Sequence, residues 1–364
     1  MALLLDDIEW GQPIFPEVSD PAWESEVKRR VGRTSQVDRR VAPNPWMRRL
    51  CLDITAMRVH FIPQRLLNIG AMVTAQENSC RYCYGANRAY MKILGYSESF
   101  IGKIERDMHV AELNDKERAF VAFCRNLARS RPRPAKAEKD ALIAQGFTSA
   151  EINEMALAIA AGCFFNRMGI LTASPPELAF ERMANGFVGR VLALAGPLMR
   201  MLAEKKAGGR EEGAGDAATL AAGPFGTIVA ALAGLPSATM LRTALDGAFA
   251  STVLSRSAKA LMFAVVARTL ECRRSDLEAR KILVAEGFDA YEIDSALASL
   301  ASPRLSAVES RMLSWARNTV YYKTAPIQAE ARALVAEVGE AVALEAVGVA
   351  SLANAVVRLA MLVE

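Results

Sequence analysis

Two cysteines three residues apart carry the first chemical signal in this chain: Asn78-Ser79-Cys80-Arg81-Tyr82-Cys83-Tyr84-Gly85-Ala86-Asn87. On a helix that spacing sets both sulfurs on one face, where they can meet as a disulfide. Asn78 or Ser79 is a good N-cap, which puts Cys80 in the first helical turn. Unpaired N–H groups and the positive end of the helix dipole then favour a thiolate at Cys80. Arg81 adds positive charge, and Tyr84 can offer a phenolic hydrogen bond to a thiolate or a bound peroxide. A zinc half-site is short of ligands, since there is no second CxxC and the histidines are His60 and His109 alone. No metal and no cofactor is expected. A thioredoxin-type site needs a surrounding β-α-β pattern that is missing here. Two buried, inert cysteines are the plain alternative.

The elements that must position these sulfurs are helical. Of 364 residues 52% are apolar and 23% charged, with Ala, Leu, Met, Arg and Glu prominent, which points to an all-α protein. Asn114-Asp115 before Lys116-Glu117-Arg118-Ala119-Phe120 marks a helix start, and so does Thr148 before Glu151, which has capping-box spacing. Five prolines between 13 and 45 suggest an irregular N-terminal arm over 1–45. A cysteine-bearing domain follows over 46–200, then a linker over 201–236, charged and Gly-rich at 205–215, and a second domain over 237–364. At this length each domain has residues enough for its own core.

The second half repeats the first at a constant offset of 192 residues. Gly95 meets Gly287, Leu113 meets Leu305, Glu117 meets Glu309, and Phe123-Cys124-Arg125-Asn126 meets Trp315-Ala316-Arg317-Asn318. With one deletion Arg167 meets Arg358. The pattern reads as a duplication.

A net charge of +4 gives no reason to expect a nucleic-acid partner. The basic cluster over 22–50 reads as a solvated helix face or an arm lying on a neighbouring subunit. Leu3-Leu4-Leu5 runs straight into Asp6-Asp7, unlike a secretory signal. The uncharged stretch 217–236, rich in Gly and Ala, suits a linker entering a packed helix better than a lipid span. Six cysteines without a leader point to a reducing, cytoplasmic setting with no membrane partner.

Cys80-Arg81-Tyr82-Cys83, the following Gly95-Tyr96-Ser97 and the later Phe164-Phe165-Asn166-Arg167-Met168 together resemble the alkylhydroperoxidase AhpD / carboxymuconolactone decarboxylase family. The likeness covers about residues 45–185, and more weakly about 240–364. It implies two tandem AhpD-like helical bundles and a thiol peroxidase that reduces a hydroperoxide through its cysteine pair. A dithiol reductant, such as a lipoyl protein or a thioredoxin-like protein, would restore the thiols. Family domains assemble as trimers or hexamers, so the resemblance also implies a homo-oligomer, with a smaller ring for a fused pair.

Two positions depart from the family pattern. Asn87 stands where the resemblance expects His, and Asn68 where it expects Glu, so the proton relay to the second cysteine is missing. An amide can orient a peroxide but cannot take its proton. Glu77 and His60 are the nearest substitutes in sequence. By the family pattern Cys83 attacks; by the helix dipole Cys80 does. In the second copy Cys272, Ser275, Ala279 and Ala260 fall on Cys80, Cys83, Asn87 and Asn68, so that copy is read as structural. The competing reading is a redox-inactive scaffold or interaction protein of the same fold. Lactone decarboxylase chemistry ranks last, because it relies on acidic and His side chains that this motif lacks.

Overall fold

The computed structural model describes residues 3–106, 111–131, 133–134, 136–207 and 215–362. Among these residues there are twenty α-helices and no strand, so the protein is all-α. His109 lies outside them.

The N-terminal segment is folded, not irregular. It forms α1 (Pro21–Val31) and α2 (Gln36–Arg40) and leads into α3 (Pro45–Thr55). Asp20, Ser35 and Asn44 cap them, accepting from the backbone N–H of Trp23, Asp38 and Met47. Pro21 and Pro45 sit in the first turn, where a missing N–H costs nothing, so these prolines start helices where the sequence suggested breaks. Trp23, Val27, Ala42 and Leu52 close a small apolar cluster. Most of the basic residues here pair within their own chain. Arg30 pairs with Asp53 at 2.6 Å, Arg48 with Asp20 at 2.8 Å, and Arg39 and Arg40 both reach Glu17.

The first half continues with α4 (Gln64–Glu77), α5 (Arg81–Ile93), α6 (Glu98–Arg106), α7 (Asp115–Arg129), α8 (Lys136–Ala144) and α9 (Ser149–Leu171). The capping box expected at Thr148/Glu151 is present, and the helix start expected at Asn114 is closed by a second one with Glu117. Two further helices, α10 (Leu178–Asn185) and α11 (Phe187–Ala207), fold back over α5.

Three helices lead to the second half: α12 (Ala217–Ala221), α13 (Gly226–Ala230) and α14 (Ala238–Ala250). The linker expected over 201–236 is therefore mostly structure. Residues 201–207 end α11, 208–214 lie outside the described residues, and the rest is packed. Leu220, Phe225, Ile228, Val229, Leu232 and Leu235 are buried, and the Phe225 ring lies 4.4 Å from that of Phe263. Low charge and many glycines hid this segment, because its apolar residues follow packing and not a helical period.

The second half holds α15 (Arg256–Thr269), α16 (Arg273–Ala285), α17 (Ala290–Ser299), α18 (Ala307–Asn318), α19 (Thr324–Val338) and α20 (Glu340–Ala360). Its first four helices begin at 256, 273, 290 and 307. Those of α4 to α7 begin at 64, 81, 98 and 115, each 192 earlier (256 − 64). The match extends to side chains: Asn126 donates to Glu138 at 2.7 Å, and Asn318 to Glu330 at 2.9 Å.

At the centre α9 packs along α20. Both are long and apolar enough to cross a membrane, but their apolar windows are 83% and 94% buried inside the protein. One continuous apolar core runs from Ile8 to Leu362 in place of the two separate cores that the length suggested.

Candidate functional site

The α4–α5 turn builds the cysteine pair. The Ser79 N–H donates to Gln76 O at 2.9 Å and the Cys80 N–H to Ala75 O at 3.0 Å, the paired bonds of a Schellman stop. Such a stop needs a left-handed residue, and Ser79 takes that role at φ 52°. The next helix therefore starts one residue later than expected: Cys80 is itself the N-cap, and its Sγ accepts the Cys83 N–H at 3.3 Å. Cys80 thus receives the hydrogen bond that a Ser or Asp cap usually takes. The Cys83 Sγ, one turn on, lies 2.7 Å from the Cys80 Sγ, and both cysteines are free and buried. Burial pushes the Cys83 thiol up, and the adjoining Cys80 sulfur adds to the rise.

The side chains of α9 close one side of the pair. A Cβ at Gly169 would stand 3.3 Å from the Cys80 Sγ and 3.5 Å from the Cys83 Sγ, so this glycine sets how closely α9 approaches the sulfurs. The α9–α10 region closes another side. Arg81 makes a bidentate pair with Glu181 at 2.8 and 3.0 Å. Tyr82 donates its hydroxyl to Glu177, which also accepts the Gln36 N–H from α2 at 2.8 Å. Burial, and Glu177 after it, raises the Tyr82 phenol well above its ordinary pKa.

The second half holds this turn from below. The Tyr322 hydroxyl donates to Asn78 O at 2.9 Å and the Thr324 hydroxyl to Ser79 O at 3.2 Å. Arg167 is fully buried on α9. It donates to Asn78 Oδ1 at 3.1 Å and to the carbonyls of Thr319 and Val320 at the end of α18. Arg358 on α20 does the reverse, donating to Ala128 O near the end of α7 at 3.2 Å. Burial, with Arg167 second, brings the Arg358 guanidinium down to about 9.

The residues considered as bases take other roles. Glu77 points to α7, where Arg125 and Arg129 bind both its oxygens. His60 sits 3.8 Å from Glu154, whose carboxylate also receives the N–H groups of His60, Phe61 and Ile62. Glu154 and Gly169 are fifteen residues apart on α9, so His60 lies roughly 20 Å from the sulfurs at about 1.5 Å per residue. Tyr84 is buried with its phenol raised by burial and then by Glu105 of α6. Asn87 follows Cys83 by one turn and donates to Ala71 O at 3.4 Å. Asn68 is buried on α4, accepts from Gln64 Nε2 at 3.2 Å, and leaves its own Nδ2 without a partner.

No general base with a free lone pair is thus placed beside the sulfurs by any of these residues. Among the described residues no cluster of three or more His, Cys, Asp or Glu is arranged to hold a metal. The sequence reading missed Gly169, Glu177, Glu181, Tyr322 and Thr324. All are brought in from beyond the motif by tertiary packing, and only Arg167 had left a trace, in the repeat. No family model, curated protein or solved structure matches the chain.

Proposed function

We propose that this protein is a CxxC-dependent dithiol–disulfide oxidoreductase that reduces hydroperoxides slowly. The observation that carries the reading is the 2.7 Å approach of two free sulfurs, one of them an N-cap receiving a backbone N–H. Cys80 is the better nucleophile in this arrangement, because a thiolate there keeps the N–H bond and the helix dipole. Its sulfur would attack the outer peroxide oxygen, forming S–O as O–O breaks, and the thiol proton would leave on the alcohol. Cys83 would then attack the sulfenic sulfur, forming S–S and releasing water. A small dithiol, lipoyl or thioredoxin-like, would exchange with the disulfide and leave oxidised itself.

The offsets of 192 residues support a tandem duplication, and the motif supports kinship with the AhpD-like proteins, in a reducing, cytoplasmic setting. The second reading, a redox-inactive scaffold, is favoured by one observation: Glu77 and His60 are committed elsewhere, and Asn87 cannot accept a proton. Peptide mapping after one equivalent of hydrogen peroxide separates the two. A disulfide between Cys80 and Cys83 is expected, with Cys51, Cys124, Cys163 and Cys272 free. Both thiols free, or only over-oxidised sulfur, would end the redox reading.

A further inference from the structure

Helix α11 has two unlike faces. The inner one is built of small residues and presses on the end of α5. A Cβ at Gly196 would lie 2.4 Å from the Leu94 backbone, and one at Gly95 would lie 2.8 Å from Ala193 O. The outer face is bare and apolar. Phe187 is 80% exposed, Val191 49%, Leu194 84%, Leu198 54% and Met201 44%. Their spacing of four, three, four and three residues sets them in one stripe along the helix, with Pro197 outside the stripe.

With Val188 the stripe exposes on the order of 650 Å² of side chain, above the ~300–600 Å² of the largest patch on a typical monomer. Adding the polar rim that any interface carries brings it near the ~800 Å² that each partner gives to a stable complex. No residue from 191 to 199 is charged, so the stripe needs an apolar counterpart of equal length. A second exposed apolar face lies on α16 around Leu277 and Val284, where Arg280 pairs with Asp276 and Asp294 and Lys281 with Glu278. A contact of α11 with that face joins two different patches, whereas α11 on α11 is self-complementary and closes at two copies.

We infer that two copies of this chain associate through α11 packed antiparallel on its own counterpart. Leu194 is the midpoint of the 187–201 stripe and meets the same residue of the second copy across the two-fold axis. The pairing braces α11, and through it the end of the cysteine helix α5. It stands whether or not the sulfurs are redox-active.

Leu194→Cys tests the geometry directly. Under a mild oxidant it should give a covalent dimer on a non-reducing gel, because a residue on the axis faces itself, whereas Leu277→Cys on α16 should not. Light scattering of the full chain at tens of micromolar should give twice the 39.4 kDa chain mass. Leu194→Glu should halve that mass with unchanged circular dichroism, and should remove any dependence of the melting temperature on protein concentration. A monomeric wild type, a dimer indifferent to Leu194→Glu, or cross-linking only through Leu277→Cys would each overturn the inference. So would a monomer that instead sediments with phosphatidylserine vesicles.

Discussion

The α4–α5 and α15–α16 turns have almost the same backbone and different chemistry. Ser79 and Glu271 are both left-handed, at φ 52° and 55°, although neither is a glycine. Cys80 and Cys272 are both N-caps, at φ/ψ of −88°/94° and −92°/99°. Both donate their N–H five residues back, to Ala75 O and Ala267 O. What differs is one atom and one cover. Ser275 puts a hydroxyl 3.4 Å from the Cys272 sulfur, where Cys83 puts a second sulfur. The outer side of α5 lies under α10 and α11, while the corresponding side of α16 leaves Leu277 and Val284 exposed. A turn suited to hold two sulfurs is thus a scaffold feature, and the redox chemistry proposed for it depends on the second sulfur.

Ser275→Cys is the sharpest way to break that comparison, because it is all or none. If backbone geometry suffices, mild oxidation should yield a second disulfide, joining Cys272 to the introduced sulfur and visible as a further loss of two hydrogens in the intact mass. In the same preparation Cys83→Ser should abolish the first. Free thiols at both 272 and 275 in the oxidised variant would show that the cover over α5, and not the turn, makes the pair.

A smaller effect is expected from restoring a base. Asn87→His places an acceptor one turn beyond Cys83, and Asn68→Glu, at the site with the unpaired Nδ2, would orient it. The neutral-pH rate of peroxide consumption should rise toward the lower end of the ~10²–10⁴-fold range of general-base catalysis, and more for the double variant than the single. Normal folding with no gain in stopped-flow traces would mean either that another base serves the site or that peroxide reduction is not its chemistry.

The smallest effect is on stability. The folded-state pKa of Cys83 is raised by burial, so its thiol keeps its proton in the fold after the unfolded chain has lost it. The unfolded state then binds fewer protons, and stability falls with rising pH above the ordinary thiol value near ~8.5. Cys83→Ser should flatten the decline between about pH 9 and 10 by at most about 1.4 kcal/mol. Urea melts of wild type and variant at the two pH values measure it, and parallel declines would contradict the assignment.

How far the sequence reaches is clear from particular residues. Thr148 and Asn114 announced their helices because a capping box is a local device. Cys80 was placed one residue too far into its helix, because a left-handed Ser79 has no signature in residue type. The arm and the linker were misjudged for one reason: proline and glycine advertise breaks, while Trp23 and Phe225 bury themselves through contacts distant in sequence. Glu77 and His60 looked available by their distance along the chain. Arg125, Arg129 and Glu154, which occupy them, come from other helices.

The crossed arginines of α9 and α20 bear on how the chain is made. Arg167 reaches carbonyls at the end of α18, and these residues leave the ribosome 152 and 153 positions after it. At ~5–20 residues per second that is a wait of roughly 8–30 s, during which this guanidinium has Asn78 but not the two carbonyls beyond α18. The newborn first half must therefore keep α9, an apolar helix of 23 residues, from closing on itself or sticking to others. Until α20 follows, the face of α9 that it covers stays open, so the pace of synthesis bears on how this fold is reached.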